Sequence, residues 1–292
     1  MERLRRSMLF VPGSNEKMIS KSLASDADCL ILDLEDSVAP QVKKEAREFV
    51  RDFIKKTDFG EKEIVVRINS PKTEYGMDDL RAMIQAQPHT LVIPKTESGD
   101  EMKELDNLMV EMEKENHLSS GVVKLMPLIE TPLAIINIDE IAMSTPRLTG
   151  LLFGAGDFTR ETRGQITRER LELYYPLMKI VIAARAAKID AIDTPYFDVK
   201  DPDGCEMNAR QAKIMGYDGK AAIHPTQVEV INRVFTPTPA EVERAKKVIE
   251  VYAKAEAEGK GATQLDGQLI EHVHATISRR ILKIAEKAGI PI

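Results

Sequence analysis

Three acidic residues close an apolar stretch near the start of the chain. The stretch reads CLILDLEDSV from Cys29, so Asp33, Glu35 and Asp36 directly follow residues that are typical of a buried strand. Carboxylates at the end of a buried strand cost free energy unless a cation lies beside them. The pattern therefore predicts a positive charge at this place in the fold.

Further charged and polar residues follow other apolar runs. Arg67 and Asn69 lie at the end of the third run, and Lys95 follows the fourth, Glu130 the fifth and Asp157 the sixth. Three more polar residues follow the last two runs: Asp193, Tyr196 and His224. As a set, these residues predict that polar groups converge where the runs end.

Each of these residues alone also has a structural explanation. Asp36 or Ser37 can cap the helix that follows, and Glu130 can cap the helix that starts near Pro132. A histidine before a proline, such as His224, is more often structural than catalytic. The functional interpretation therefore depends on the whole set.

Eight apolar runs alternate with segments of helical periodicity. The runs are Ser7–Val11, Asp28–Leu34, Ile64–Ile68, Thr90–Pro94, Val122–Ile129, Gly150–Phe153, Ile189–Ile192 and Ala221–Ile223. Continuous apolar runs are typical of parallel strands that are buried on both faces. Eight strand–helix units in about 230 residues predict an α/β fold, the (β/α)8 TIM barrel. An open doubly wound sheet fits less well, because the first turn, Val11–Asn15, lacks the G-x-G-x-x-G spacing.

Apolar stripes mark several of the intervening helices. They fall within Val42–Ile54, Met102–Met112 and Leu177–Ala187, at the spacing of one helix face. The methionine-rich stripe could line a cofactor, but a core-facing surface is the more common meaning of such a stripe. These segments are therefore predicted to be helices that pack on the barrel.

The pattern changes after residue 235. Thr238 and Glu241 form a capping box, which predicts a helix that runs to about Glu258. A glycine-rich turn and a last helix to about Ala288 follow. Residues 1–235 are thus predicted to form the barrel, and residues 236–292 a C-terminal helical extension that serves as a lid or an oligomer arm.

Glu130 and Asp157 form the most informative pair. In a barrel, the chemistry lies at the carboxyl ends of the strands. These two residues would be neighbours across one strand spacing of about 4.8 Å. Carboxylates that close repel each other unless one is protonated or a cation lies between them. Oxygen ligands with water in the remaining positions suit Mg²⁺, and Gly154 and Gly156 would let the backbone approach a ligand there.

Arg67 would complete a site for a small acidic substrate. A guanidinium at a strand end suits bidentate binding of a carboxylate. The acids Asp33, Glu35 and Asp36 are then expected to lie beside Arg67, Lys95 or the water around a metal ion. The positive charge that the opening stretch requires is therefore predicted to come from Arg67, Lys95 and a metal ion.

Composition excludes several classes of protein. The net charge of −6 argues against a nucleic-acid-binding surface. No apolar stretch approaches the ~20 residues of a membrane span, and the apolar run Met8–Val11 is too short for a signal peptide. Cys29 and Cys205 lack metal-ligand spacing and are expected to be reduced thiols. A cytoplasmic protein that binds neither nucleic acid nor membranes is expected.

The chain resembles the citrate lyase beta chain family, which includes citramalyl-CoA and malyl-CoA lyases. The resemblance lies, in order, in the segments RRSMLFVPGSNEKM, DADCLILDLEDSV, KKEAR, VVRINS, VIPKTES, PLIETP, GAGDFT, GYDGKAAIHPTQ and GKGATQLDGQLIE. These segments are spread over nearly the whole length. In combination they are specific to the family, but they separate its members by substrate much less well.

The resemblance implies a barrel with a C-terminal arm, usually assembled as a homotrimer. It implies Mg²⁺ on Glu130 and Asp157, and a substrate that is bound by Arg67, Glu130, Gly156 and Asp157. The acyl thioester, on CoA or on an acyl carrier protein, would approach over the opening of the barrel.

The phosphates of CoA are expected near the first turn. The resemblance places them close to Gly13, Ser14 and Lys17. A chain of a citrate lyase complex would also bind an acyl carrier protein and an acyl transferase chain.

The implied reaction is reversible carbon–carbon cleavage of a 3-hydroxy-acyl thioester. A citryl thioester, on CoA or on a carrier protein, would give oxaloacetate and acetyl thioester. A citramalyl or malyl thioester would give pyruvate or glyoxylate instead. Two other hypotheses remain: a metal-dependent 2-oxo acid aldolase that uses no CoA, and a non-catalytic barrel that is a subunit of a lyase complex.

One position departs from the family pattern. The motif in the C-terminal arm usually ends in an aspartate that serves as acid/base in the site of a neighbouring subunit, and here DGQLIE places Glu271 there. The extra methylene moves the carboxylate by roughly 1 Å, and a misplacement of that size can cost ~10²-fold in rate. We expect Glu271 to take the catalytic role with an adjusted arm.

Overall fold

Eight parallel strands close into a barrel in sequence order in the computed structural model, which describes residues 3–292. The strands are β1 Ser7–Pro12, β2 Cys29–Asp33, β3 Glu63–Arg67, β4 Thr90–Ile93, β5 Lys124–Ile129, β6 Gly150–Phe153, β7 Asp190–Asp193 and β8 Gly219–Ala222. Strand β8 pairs with β1 and so closes the sheet. The prediction of a (β/α)8 barrel from the repeated strand–helix pattern is confirmed.

Alternate strand residues fill the inside of the barrel. Because successive side chains point to opposite faces of a strand, one residue in two contributes to this core. The buried cluster consists of Met8, Cys29, Ile31, Val65, Val92, Met126, Leu128, Leu152, Ile192 and Ala221, with Phe10 packed against it. The interior is therefore a packed core that leaves room for a site only beyond the strand ends.

Twelve helices are present in the described part of the chain. They are α1 Glu16–Leu23, α2 Lys43–Lys56, α3 Gly76–Ala86, α4 Gly99–Glu115, α5 Pro132–Ile136, α6 Ile138–Ala142, α7 Ala155–Thr162, α8 Tyr174–Ala187, α9 Pro202–Met215, α10 Pro225–Phe235, α11 Pro239–Ala257 and α12 His272–Lys287. Two short 3₁₀ turns, Pro40–Val42 and Leu171–Leu173, precede α2 and α8.

The predicted apolar stripes face the core. On α4, Met102 and Met109 are buried almost completely, so this methionine-rich stripe is a packing surface. On α8, Leu177 and Ile180 are fully buried. Helices α2, α4 and α8 lie where the periodicity predicts them.

The chain divides into two compact units: Arg5–Asn232 holds the barrel, and Arg233–Ile292 belongs to the second. Helix α11 starts with the predicted capping box of Thr238 and Glu241. The second unit has its own small core, in which Val248 and Tyr252 contact Ile270. Its role as a lid or an oligomer arm stays a prediction.

A β-hairpin lies between the last two helices, where the sequence analysis predicts only a turn. Strands β9 Ala262–Leu265 and β10 Gln268–Glu271 pair antiparallel. Asp266 and Gly267 connect them with φ angles of 51° and 78°. Two positive φ angles define a type I′ turn, and Asp-Gly is its typical sequence. That dipeptide was the available signal for the hairpin.

No helix in residues 3–292 is both long and apolar enough to span a bilayer. Cys29 and Cys205 are buried free thiols.

Candidate functional site

A cavity of about 460 Å³ opens at the carboxyl ends of the barrel strands. It is lined by Phe10, Val11, Pro12, Asp33, Asp36, Ser37, Arg67, Leu128, Glu130, Phe153, Gly154, Ala155, Gly156, Asp157, Thr194, Pro195, Phe197 and Ile223. Seven of the eight strands lead into it, and its charged lining consists of four carboxylates and one guanidinium. The predicted convergence of polar strand ends is thus present around one cavity.

Arg67 ends β3 and lies at the centre of the acidic residues. Its Nε and Nη2 donate to the two oxygens of Asp33 at 2.7 and 2.8 Å. Its Nη1 donates to Asp36 at 3.2 Å and lies 3.1 Å from Glu35. The guanidinium also lies over the ring of Phe10, 5.0 Å from the centroid. Arg67 is therefore the cation that the acids after β2 require.

Asp33 holds the turn after β2 in shape. Besides Arg67, its carboxylate accepts the backbone N–H groups of Glu35 and Ser37 at 2.9 and 3.0 Å. Burial alone would raise the pKa of Asp33, but the hydrogen bonds and charge of Arg67 lower it. Asp33 is consequently a fixed carboxylate that orients Arg67.

Glu35 is the least satisfied carboxylate of the group. Its Oε1 is 3.9 Å from Lys95 Nζ, and its Oε2 accepts no well-formed hydrogen bond from any described residue despite its proximity to Arg67. Burial, opposed by Arg67 and Lys95 and reinforced by Asp36, raises the pKa of Glu35 to about 7. A buried oxygen without a donor is able to accept one from a ligand or from water.

Glu130 follows β5 and is buried beside the other acids. Its Oε1 accepts the backbone N–H of Lys95 at 2.8 Å. Lys95 has a φ of 51°, a left-handed conformation that is uncommon outside glycine. Burial raises the pKa of Glu130 to about 8, and the charges of Glu35 and Asp157 add to this effect. The site is thus electrostatically unfavourable for the Glu130 carboxylate in the absence of a further cation.

Gly154 makes space for the Glu130 side chain. A Cβ atom on Gly154 would lie 2.6 Å from the Cβ of Glu130 and 2.9 Å from its Oε2. This glycine was predicted to let the backbone approach a ligand, but the group that approaches it is Glu130. Only glycine lets the carboxylate lie against this strand end.

Asp157 lies in the first turn of α7 and not at the end of β6 itself. A carboxylate there interacts favourably with the positive end of the helix dipole. Its Oδ1 pairs with the exposed Arg160 at 2.6 Å. Gly156, the residue before it, also lines the cavity and has only the ring of Phe197 near its Cα, at 3.5 Å from an added Cβ.

The donor set at this place fits Mg²⁺. Within residues 3–292, no three carboxylate, imidazole or thiolate side chains are grouped tightly enough to bind one metal ion together. Mg²⁺ is usually bound by one or two carboxylates, with water and substrate oxygens in the other positions. Glu130 and Asp157 provide such a pair, and burial, together with the charges of Glu35 and Asp157, raises the pKa of Glu130.

Gly13, Ser14 and Lys17, in and after the first turn, do not line the cavity. Gly13 is buried and its N–H donates to the carbonyl of Asp33 at 2.8 Å, so this glycine has a packing role. Ser14 and Lys17 are exposed beside the start of α1, whose N-cap is Asn15. The phosphate-binding role of all three residues stays a prediction.

Three polar residues near the last strands do not line the cavity. Asp193 points away from it and is fully buried between Arg170 and Lys220, at 2.9 and 2.6 Å. Tyr196 donates its hydroxyl to Asp201 at 2.7 Å, while the exposed His224 bonds Thr226. Their contacts are structural.

The apolar lining of the cavity was not among the residues predicted from the sequence. Phe10, Phe153 and Phe197 all contribute to it, together with Thr194. The signal for Phe10 was available, because it alternates with Met8 along β1 and therefore points inward.

Glu271 belongs to the second unit. It ends β10, is exposed, and its carboxylate caps the backbone of α12 while its own N–H donates to His274 at 3.1 Å. The carboxylate is therefore accessible but has a local structural partner.

The match to known families agrees with this architecture. A family model described as HpcH/HpaI aldolase/citrate lyase matches residues 6–225, the part of the chain that contains all eight barrel strands. The chain belongs to this family. The resemblance in the sequence motifs is therefore confirmed, and the family's name refers to aldolases and carbon–carbon lyases.

Curated relatives cover almost the whole chain. The citrate lyase subunit beta of Haemophilus influenzae is 38% identical over 288 residues, with 99% of each chain covered. A (3S)-malyl-CoA thioesterase of Cereibacter sphaeroides is 35% identical, and the match covers 96% of this chain and 94% of the relative.

Solved structures show the same fold. RipC of Yersinia pestis is 34% identical with a TM-score of 0.69, over 83% of this chain and 100% of RipC. The CitE protein of Mycobacterium tuberculosis, solved with magnesium, acetoacetate and coenzyme A, is 28% identical with a TM-score of 0.77, over 96% and 97% of the two chains.

Proposed function

We propose that this protein is a Mg²⁺-dependent lyase that cleaves a 3-hydroxy-acyl thioester into a 2-oxo acid and an acetyl thioester. A citryl thioester, which gives oxaloacetate, is the first candidate substrate. Citramalyl and malyl thioesters, which give pyruvate and glyoxylate, are the alternatives within the same reaction class.

One observation carries the proposal: a guanidinium and a pair of carboxylates share one cavity at the carboxyl end of the barrel. Arg67 suits a substrate carboxylate, and Glu130 and Asp157 suit a divalent cation. No described acceptor takes the second hydrogen of Arg67 Nη2, which leaves a donor for the substrate. The names of the relatives, citrate lyase subunit beta and malyl-CoA thioesterase, support acids of this type.

The residues of the chain would share the work as follows. Arg67 binds and orients the acid end of the substrate, with Asp33 fixing its direction. Glu130 and Asp157 hold Mg²⁺ and, with Gly156, contact the oxo-acid part. When bound, Mg²⁺ supplies Lewis-acid stabilisation of charge that develops on the substrate oxygen. The apolar lining around Phe153 excludes water from the reacting carbons.

Glu271 is the proposed acid/base, contributed by a second copy in a homotrimer. Its carboxylate would take the hydroxyl proton during cleavage and return a proton to the acetyl carbon. The thioester carrier is CoA or an acyl carrier protein. Association with a carrier protein and an acyl transferase chain would follow if the protein works as a subunit of a lyase complex.

Thioester hydrolysis is the second candidate function. It is favoured by the relatives from Cereibacter sphaeroides that are named (3S)-malyl-CoA thioesterase. The same cavity would bind the same class of substrate, but water would attack the thioester carbonyl and the carbon–carbon bond would stay intact. The two functions therefore differ in their products.

The test is a product analysis with citryl-CoA, (3S)-citramalyl-CoA and malyl-CoA, each with Mg²⁺ or with a chelator. A lyase forms oxaloacetate, pyruvate or glyoxylate together with acetyl-CoA, and the products disappear on chelation. Release of free CoA thiol without any oxo acid would establish the hydrolase instead. The same acids are then offered as acyl carrier protein thioesters. Turnover of none of them, on CoA or on the carrier protein, would reject both functions and favour a CoA-independent aldolase or a non-catalytic subunit.

A further inference from the structure

The KKEAR segment, residues 43–47, begins α2. It lies next to the acidic turn after β2, residues 34–38, yet none of its residues lines the cavity. Lys43 and Arg47 are one helical turn apart on the same face, so both point toward the same neighbouring loops. Lys44, between them, is exposed. Lys43 and Arg47 therefore face the protein interior without a role in the proposed reaction.

Lys43 is buried and binds two backbone carbonyls of the acidic turn. The residue is only 8% exposed, a rare state for lysine. Its Nζ donates to the carbonyl oxygens of Leu34 at 2.9 Å and Glu35 at 2.7 Å. It also lies over the ring of Tyr75, 5.6 Å from the centroid. Each of these contacts ties α2 to the turn.

A second chain of contacts holds the same turn. Asn69 Nδ2 donates to the Leu34 carbonyl at 2.8 Å and to Asp79 at 2.6 Å. Arg47 Nε pairs with the other oxygen of Asp79 at 2.6 Å. Asp79 is fully buried, and every one of these partners is fixed by a helix or by a strand end. The Leu34 carbonyl therefore accepts two hydrogen bonds from residues outside the turn.

Both backbone polar groups of Glu35 form hydrogen bonds. Its N–H donates to Asp33, and its carbonyl accepts from Lys43. A residue with both groups fixed has little freedom in the direction of its Cα–Cβ bond. The Glu35 carboxylate is directed in this way toward Arg67, Lys95 and the side of Glu130.

We propose that Lys43 is a positioning residue. By binding the carbonyl oxygens of Leu34 and Glu35, it keeps the Glu35 carboxylate beside Arg67 and Lys95, where its negative charge offsets theirs next to the proposed metal ligands Glu130 and Asp157. This inference rests on the proposed function, since it assigns Lys43 an effect on divalent-cation affinity at that site. If the Glu35 carboxylate moved away, the positive charges of Arg67 and Lys95 would repel a divalent cation at Glu130 and weaken its binding. Groups that orient a metal site from outside commonly change affinity by 10–100-fold when removed.

The test measures binding of Mn²⁺, a spectroscopic substitute for Mg²⁺, by electron paramagnetic resonance in the full-length protein. Lys43→Met removes the ammonium but keeps an unbranched side chain, and we expect the Kd to rise about tenfold. Lys43→Arg, which keeps donors and charge, is expected to recover most of the affinity. Lys44→Met is the matched control on the exposed side of the same helix, and its Kd is expected to equal that of the parent.

A double-mutant cycle with Glu35→Gln separates positioning from general stabilisation. If Lys43 acts through Glu35, Lys43→Met changes the Mn²⁺ Kd by less than about twofold in the Glu35→Gln background. An equal, additive loss in both backgrounds, or an unchanged Kd in Lys43→Met alone, overturns the proposal.

Amide hydrogen exchange keeps the two proposals distinguishable. We expect peptides that cover residues 34–38 to exchange faster in Lys43→Met than in Lys44→Met, with the strand β5 unchanged. A parent protein that binds no Mn²⁺ contradicts the proposed metal site, whereas the exchange at 34–38 still decides whether Lys43 holds the turn. If Lys43→Met does not fold, Lys43→Gln, which retains one donor group, carries the same measurements.

Discussion

Glu130 has a strongly perturbed environment in the cavity. It is buried, receives one backbone hydrogen bond from Lys95, and has a pKa of about 8 because burial and neighbouring acids disfavour its charge. A bound divalent cation would compensate that charge and stabilise the folded protein. At a Mg²⁺ concentration 100 times the Kd, the gain is about 2.7 kcal/mol.

Glu130→Gln is therefore expected to lose the Mg²⁺-dependent rise in melting temperature together with the lyase activity. The amide keeps an acceptor for the Lys95 N–H but loses the charge, so the fold in the absence of metal is expected to persist. Thermal unfolding with and without Mg²⁺ measures this. Glu229→Gln, on the exposed side of α10, serves as the control, and an intact Mg²⁺ shift in Glu130→Gln would remove Glu130 from the metal site.

Glu271 combines a local contact with the proposed catalytic role. Its carboxylate caps α12, and capping residues contribute about 1 kcal/mol to stability. Substitution by alanine therefore removes both functions at once. Glutamine keeps an acceptor for the cap but cannot exchange a proton at neutral pH.

We expect Glu271→Asp to keep or raise the turnover number, and Glu271→Gln to lower it by ~10²-fold or more, in the range typical of general acid–base catalysis. Steady-state kinetics with the substrate identified by product analysis provides the measurement, and circular dichroism checks α12. Full activity in Glu271→Gln would show that another group moves the proton.

At the scale of strands and helices, the sequence predicted repeats well and single contacts poorly. Runs buried on both faces and helices with one apolar stripe identify each unit independently, which is why all eight strands lie where predicted. The hairpin β9–β10 was missed because its strands are short and largely exposed, and so lack an apolar signal. Asp193 ends β7 but faces away from the cavity, a distinction that depends on strand register.

For the candidate site too, the sequence predicted which strand ends converge but not the individual contacts. Clustering of Arg67, Glu130 and Asp157 followed from the topology of a parallel barrel, because strand ends meet at one edge. The roles of Lys43 and Gly154 could not be read from spacing. Each depends on which atoms the fold brings together: Lys43 contacts backbone carbonyls eight and nine residues away, and Gly154 contacts Glu130 on the neighbouring strand end. A sequence alone does not give these separations.

Gly154 lies in close contact with Glu130, where the ends of β5 and β6 meet. An added Cβ would approach Glu130 to 2.6 Å, closer than real Cβ contacts. We expect Gly154→Ala to displace the Glu130 carboxylate, to cost about 1–3 kcal/mol of unfolding free energy, and to weaken Mn²⁺ binding. Urea unfolding and the Mn²⁺ Kd measure the two effects. Gly164→Ala, whose added Cβ has no neighbour nearer than 3.5 Å, is the control, and equal behaviour of the two variants would contradict the argument.

At the scale of the whole barrel, one buried arginine joins several strands at the end opposite the cavity. Arg5 precedes β1 and pairs with Glu63 at the start of β3 at 2.6 Å, and with Asp190 at the start of β7 at 2.9 Å. It also bonds Thr149 before β6, and Thr90 of β4 donates to Glu63 at 2.8 Å. Five strands are thus tied to one guanidinium, which separates a stabilising end of the barrel from a functional end.

This arrangement predicts a specific dependence of stability on pH. Burial alone would raise the pKa of Glu63, but the hydrogen bonds and charge of Arg5 lower it below its usual value of 4.5. A carboxyl whose pKa is lower in the folded state stabilises the protein above its unfolded pKa, and that contribution is lost as the pH falls through the folded value. The window therefore lies on the acid side of pH 4.5.

Glu63→Gln leaves the Arg5 charge buried with one partner fewer, so we expect a loss of about 3–5 kcal/mol at pH 7. The difference in unfolding free energy between parent and variant is expected to shrink as the pH falls below 4.5, because protonation of Glu63 in the parent removes the same interaction. Asp190 is present in both proteins, so its own titration largely cancels in this difference. Urea unfolding at a series of pH values between 7 and 3.5 provides the measurement. A difference that stays constant over this range would show that the ion pair does not stabilise the barrel through its charge, and that the packing of Arg5 alone closes this end.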